Sequence, residues 1–106
     1  METLHIPSKQ AEIEAIFTTL VNQWLAENRG VSSINQMCMH PAYQQIIGMG
    51  EPVIPLLLRE LEKKSGHWFW ALKSISREDP VPPESKGKVN EMIQVWLEWG
   101  RQRGYK

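Results

Sequence analysis

Cysteine is almost missing from this chain of 106 residues: Cys38 stands alone. No disulfide can form within the chain, so any fold must hold without covalent staples, and a lone thiol fits a reducing compartment. The cytoplasm is the expected location. Long apolar runs are missing as well. The longest uncharged one is Val53 to Leu58, far short of the ~20 residues that cross a bilayer. The N-terminus is neither basic nor followed by the apolar segment of a signal peptide, so neither membrane insertion nor signal-directed export is expected. Net charge is absent too, with 12 basic side chains against 12 acidic ones. That balance removes the electrostatic footprint of a dedicated nucleic-acid binder. Nor does any segment show the strict apolar and polar alternation of a half-buried strand, so no sheet is expected.

What is present suffices for one core. A chain of this size buries about 65% of the surface that its unfolded form exposes, and 42% of its residues are hydrophobic. One helical domain over residues 1–106 is the expected organisation. The zero net charge conceals an asymmetry: residues 1–53 hold two basic groups, Lys9 and Arg29, against five acidic ones, whereas residues 54–106 hold ten basic against seven acidic.

Helical spacing dominates the pattern. Ile13, Phe17, Leu20, Val21 and Trp24 fall on one stripe, flanked by Ile16 and Leu25, between a start signal at Pro7-Ser8 and a stop at Gly30. The segment Val31 to Met39 reads as a loop with one helical turn, for which Ser33 and Gln36 form a capping box. His40-Pro41 restarts the chain, because proline favours the first helical position, and a short helix from Pro41 to Ile47 is expected to close at Gly48. Gly50-Glu51-Pro52 opens the next helix, with Ile54, Leu57, Leu58 and Leu61 as its buried stripe. After Ser65-Gly66 comes a helix from His67 to Ser76, with Trp68, Ala71, Leu72 and Ile75 at helical spacing. The prolines of Asp79 to Pro83 then fix an extended path. A last helix, starting at Glu84 or Ser85, places Val89, Met92, Ile93, Trp96, Trp99 and Gly100 on one face, widened by Val95 and Leu97 to an arc suited to two neighbours.

The stretch Ile46 to Leu58, with Leu61 and then Trp68 to Ile75, resembles a single HEAT-type helical hairpin. It has the same order of small residue, apolar helix, short turn and Ala-Leu helix. A larger part of the chain is similar to a group of small uncharacterised bacterial proteins. The shared stretches are His40-Pro41-Ala42-Tyr43-Gln44, Gly48-Met49-Gly50, His67 to Leu72, Asp79 to Pro82 and Trp96-Leu97-x-Trp99-Gly100-Arg101. The resemblance implies an all-α fold of about five helices, the HEAT-like hairpin packed between long N-terminal and C-terminal helices. It carries no activity with it.

Each chemistry-bearing residue has a plain structural reading beside a functional one. Cys38 and His40 are the nearest approach to a metal pair, with His5 and His67 elsewhere, but a structural zinc site needs four ligands at set spacings; no metal and no cofactor is expected. Cys38 with His40 or His67 as base would form a nucleophilic pair, joined by Tyr43, yet no flanking signature supports it, and an enzyme is the less favoured reading. His40 before proline reads equally as a helix cap. Gly48-Met49-Gly50 lacks the rest of a phosphate loop and turns the chain. Arg101, Arg103 and Lys106 beside Trp99 and Tyr105 make a basic and aromatic mix of the kind that contacts phosphates and stacks on bases; three cations fall short of a dedicated set, so a small nucleic-acid-associated regulator or antitoxin-like factor is an alternative only.

Trp68-Phe69-Trp70 is the most informative triplet. Two residues on a helix lie about 200° apart, so if Trp68 faces the core, Trp70 shares the opposite side with Lys73, Ser74 and Arg77. Either the Val31 to Met39 segment or the proline-rich connection covers that indole, or another chain does. The favoured expectation is a non-catalytic protein-interaction module. It would bind a protein partner or a second copy of itself through Trp70, Lys73, Arg77 and Pro82.

Overall fold

In a computed structural model that describes residues 9–63 and 66–105, the chain folds into six α-helices, with no strand among the described residues. His5, the start signal at Pro7-Ser8, Ser65 and Lys106 lie outside those residues. Helix α1 spans Lys9–Glu27, α2 Ile34–Met39, α3 Pro41–Met49, α4 Ile54–Glu62, α5 Phe69–Ser76 and α6 Val89–Gln102. Single 3-10 turns at Glu51–Val53, Gly66–Trp68 and Pro83–Ser85 lead into α4, into α5 and toward α6.

The stripe of α1 is buried at Phe17, Leu20, Val21 and Trp24, while Ile16 and Leu25 on its flanks lie in water. The helix stops where Asn28 turns back. Its backbone N–H and its side-chain amide both donate to the Trp24 carbonyl, at 3.1 and 2.7 Å, satisfying an acceptor that the helix end would otherwise leave orphaned. Gly30, at φ 81°, then releases the chain.

Three expectations are corrected by the backbone. Val31 to Met39 is more than a loop with a turn, because Ser33 accepts a hydrogen bond from the Gln36 N–H and starts the six-residue α2. Helix α3 runs past Gly48 and closes at Gly50, whose φ of 79° with ψ of −156° is a conformation that essentially only glycine holds. Helix α6 begins at Val89 rather than at Glu84 or Ser85, since Pro83–Ser85 makes one 3-10 turn and Gly87, at φ 84°, breaks the path. Val89, expected on the buried face, is exposed there.

Packing runs in series. Helix α1 lies on α3, α3 on α5, α5 on α4 and α4 on α6. Between α1 and α5 sits an aromatic block. The Tyr43 and Trp68 rings stack at 5.1 Å and 5°, and Trp24 closes on both at 5.6 and 4.9 Å. The far end is built on α6, whose Ile93, Trp96, Leu97 and Trp99 are buried, and Gly100 lets α6 approach α4 so closely that a Cβ there would overlap Leu58. Among the described residues the second flank of α6 meets no helix of comparable contact; Pro80, from the extended connection, lies beside its Val95 and Trp99 instead.

Serial packing makes a slab. The principal extents are 57, 35 and 22 Å, and the radius of gyration is 15.0 Å, against ~13 Å for a compact chain of this length. The short dimension equals about two helix diameters of 10 to 12 Å. A slab this thin has much surface for its volume, which explains why several large apolar side chains stay in water.

Candidate functional site

Helix α2 buries none of its side chains completely. Packing of an apolar face is what usually holds so short a helix, and here polar tethers to its C-terminal carbonyls do much of that work. The Trp24 indole N–H donates to the Met37 carbonyl at 2.7 Å, and the Gln44 side-chain amide donates to the Cys38 carbonyl at 2.7 Å. Met37 and Cys38 pack partly against the core below. Ile34, Cys38 and Met39 are spaced four and five apart, so they line one side of the helix.

Trp70 faces that side from α5. The two helices enclose a groove of about 410 Å³ lined by Ile34, Asn35, Cys38, Met39 and Trp70, within the ~300 to 1,000 Å³ range of binding sites. Trp68, two residues before, is buried, whereas Trp70 is 51% exposed, Ile34 58% and Met39 71%. Half of the large apolar side chains exposed on the described residues therefore meet at one place. Lys73 holds its ammonium 6.0 Å from the centre of the Trp70 ring. Arg77 follows one turn later, in the left-handed conformation (φ 62°, ψ 25°) that closes α5.

The structure thus brings Trp70 and Lys73 onto one helix face, with Arg77 closing that helix. Lys73, Arg77 and Pro82 do not line the groove; Pro82 sits half-buried in the extended segment and precedes the 3-10 turn at Pro83. Opposite Trp70 stand α2 residues, Ile34 and Met39 above all, which periodicity alone did not single out.

The four residues considered for catalysis are placed differently. His40 caps α3: its Nδ1 accepts from the Ala42 N–H at 3.0 Å, which puts the ring proton on Nε2, and Nε2 donates to Glu27 Oε1 at 2.8 Å. Tyr43 is fully buried, and its hydroxyl donates to the His67 carbonyl at 2.7 Å while accepting from the Ala71 N–H at 3.1 Å. The His67 ring packs edge-on against Trp24 at 5.4 Å. Burial pushes the Cys38 thiol up, the contact with the Tyr43 hydroxyl opposing it, so Cys38 is a poor thiolate at neutral pH. The groove takes in Cys38 but not His40, Tyr43 or His67. Among the described residues no group of three or more histidine, cysteine, aspartate or glutamate side chains could hold a metal ion, and no helix is long and apolar enough to cross a membrane.

At the basic C-terminal end the cations face carboxylates. Arg101 pairs with Glu98 one turn earlier. Arg103 grips both oxygens of Glu78 and lies over the Trp99 ring at 5.2 Å, and the Trp99 indole donates to the same carboxylate at 3.2 Å. These donors hold the Glu78 carboxyl below its usual range, the Arg103 contribution being the largest. Tyr105 stacks on the same Trp99 ring at 5.6 Å and donates to Glu51 at 3.0 Å.

No protein-family model, no curated protein sequence and no solved structure matches the chain.

Proposed function

We propose that this protein is a non-catalytic interaction module, bacterial and cytoplasmic, that docks another protein surface in the groove between α2 and α5. Trp70 is the anchor, with Lys73 and Arg77 beside it. The observation that carries the reading is the half-exposed Trp70 set opposite Ile34 and Met39, an apolar concentration that the chain leaves in water. Tryptophan and arginine are the residues that dominate binding energy at interfaces, and a groove walled by a helix without buried side chains has room to adapt to its occupant. In this reading the α4 and α5 pair serves as a HEAT-like hairpin whose outer edge presents the site. The commitments of His40 and Tyr43 to backbone groups, and of Arg101 and Arg103 to carboxylates, favour it over an enzyme or a nucleic-acid factor.

Trp70→Ala tests it. Half of the indole's ~150 to 250 Å² is already exposed, so the substitution should cost about 2 to 3 kcal/mol of stability and leave the chain folded at room temperature. The same change should weaken association about 30-fold or more, the loss expected of a central interface anchor. Wild-type and Trp70→Ala baits compared under native conditions, with sedimentation of each to report self-association, give the readout. A variant that keeps every associated protein and its own assembly state refutes the proposal.

A further inference from the structure

We infer that His40 is a pH-sensitive latch at the foot of α2: it ties α3 to α1 only while Nδ1 is unprotonated, and uptake of a proton leaves it on Glu27 alone, loosening the first turn of α3 and the α2 wall with it. The geometry of the ring carries this. His40 is at once the C-cap of α2 and the N-cap of α3, and its side chain is only 15% exposed. Both ring nitrogens are engaged, Nδ1 by the Ala42 N–H and Nε2 by Glu27. Only a nitrogen without a hydrogen can accept, and an imidazolium bears one on each nitrogen. The protonated ring would set donor against donor at 3.0 Å, so it must give up the cap.

The surrounding sequence leaves this stretch with one trigger. Residues 30–50 hold no lysine, arginine, aspartate or glutamate, and burial raises the Cys38 thiol and the Tyr43 phenol further above neutrality. Histidine is the side chain whose charge ordinarily changes between pH 5 and 8. From α1 the ring faces Glu27, whose second oxygen accepts from the Gln23 amide at 3.3 Å. Arg29 lies exposed just past that helix, and the His67 ring, from the turn before α5, packs on Trp24.

Two effects of the proton oppose each other, and their sizes decide between them. The Glu27 contact becomes an ion pair, but with a carboxylate that is 53% exposed this favours the protonated form only about two-fold. Against it, fully buried Ala42 is left with an orphaned N–H, about ten-fold unfavourable, and a cation stands at the positive end of α3. The C-terminal end of α2 would welcome that cation, yet its Met37 and Cys38 carbonyls are already taken by Trp24 and Gln44. The loss of the cap prevails, so the junction is intact above the histidine range and weakens as pH falls through it. Gln44 passes the change to α2. Its N–H closes the first turn of α3 on the His40 carbonyl, and its side-chain amide holds the Cys38 carbonyl, so a loosened turn slackens the tether of a helix that buries no side chain completely. Control of docking by this latch rests on reading the groove as a docking site; the latch itself does not.

Backbone amide exchange followed by NMR between pH ~7.5 and ~5, read at each residue as protection relative to an unstructured chain at the same pH, tests the latch. In the wild type the Ala42 amide should lose about ten-fold in protection as pH falls, and the amides of Met37 to Met39 several-fold, while those of Leu58 and Trp96 hold. His40→Asn supplies an N-cap acceptor that takes up no proton, so neither loss should occur in it. Glu27→Gln keeps an acceptor for Nε2 without the charge; the losses should persist, with their midpoint about half a unit lower in pH. Protection at Ala42 that is the same at both ends of the range, a loss confined to Ala42, an equal loss in His40→Asn, or a midpoint in Glu27→Gln that stays or rises overturns the latch. The exchange is measured without a partner, so the latch and the docking reading, which the Trp70 baits decide, can fail separately.

Discussion

Replacing Tyr43 by phenylalanine removes one oxygen atom from the centre of the aromatic block and leaves its rings in place. The hydroxyl does two things at once. It accepts from the Ala71 N–H, one of the orphan donors at the start of α5, and it donates to the His67 carbonyl just before that helix. No side chain on the N-cap residue, Trp68, caps α5; Tyr43 does so from α3. In the phenylalanine variant a buried N–H at Ala71 loses its partner outright, at about 1 to 3 kcal/mol. The His67 carbonyl loses one as well, at lower cost because His67 is only half buried. The sum is about 2 to 3 kcal/mol, which for a domain near 100 residues means a fall in Tm of roughly 10 °C. Alkaline pH supplies a second readout. Burial pushes the Tyr43 phenol well above its ordinary value near 10, so above pH ~10 the unfolded chain has released a proton that the folded chain keeps. Stability then falls as pH rises, and the wild type should lose about 1.4 kcal/mol from this group by pH 11. Tyr43→Phe lacks that loss, so the gap between the two proteins should narrow from pH 10 upward. Thermal melts followed by near-ultraviolet circular dichroism at pH 7 and pH 11 measure both effects. A Tm within 3 °C or so of the wild type at pH 7, or a gap independent of pH, would refute the capping role, since two lost hydrogen bonds in a buried setting exceed that.

Other outcomes follow from the same contacts. Truncation after Gly87 deletes buried Ile93, Trp96, Leu97 and Trp99, and with a whole stability of only ~5 to 15 kcal/mol the remainder should show no cooperative melting transition. His40→Ala removes the acceptor for the Ala42 N–H and the contact to Glu27, a loss of about 1 to 2 kcal/mol in urea denaturation; His40→Asn, a good N-cap residue, should recover more than half of it. Alkylation of Cys38 should be several-fold slower in the folded chain than in urea, and its rate should still be climbing above pH 9, because burial holds the thiol protonated. Equal rates in the two states would mean that the thiol stands free in water.

The parts of the fold that local pattern controls were legible in advance. The α1 stripe from Phe17 to Trp24, the cap at His40-Pro41, the buried leucines of α4 and the opposed indoles of Trp68 and Trp70 each follow from spacing and from the fixed chemistry of proline. The errors fall where two local signals compete. Gly48 and Gly50 both permit a helix end, and the choice depends on the backbone path into Glu51-Pro52, which needs a conformation that only glycine holds. Pro83 announces a helix start, but Gly87 interrupts it before a second turn can form.

The groove is a different case, because half of it is written non-locally. That Trp70 emerges from the face opposite Trp68 is an angular consequence of the helix. That α2 stands across from it depends on residues far along the chain: an isolated helix shorter than ~12 to 15 residues is marginal in water, and α2 has six, none fully buried. Its order comes partly from Trp24, thirteen residues before Met37, and from Gln44, six beyond Cys38. One physical clue was available. A tryptophan buried on the α1 stripe must find an acceptor for its indole N–H, and a stripe of apolar neighbours supplies none. The acceptor must come from a chain end or a short helix passing over it, and the carbonyls that close α2 meet that need. Once Met37 is tied down there, Ile34 and Met39 are carried to the outer side, facing the indole that α5 leaves uncovered. The buried tryptophan of α1 thereby places the wall, and the exposed tryptophan of α5 gives the wall something to face.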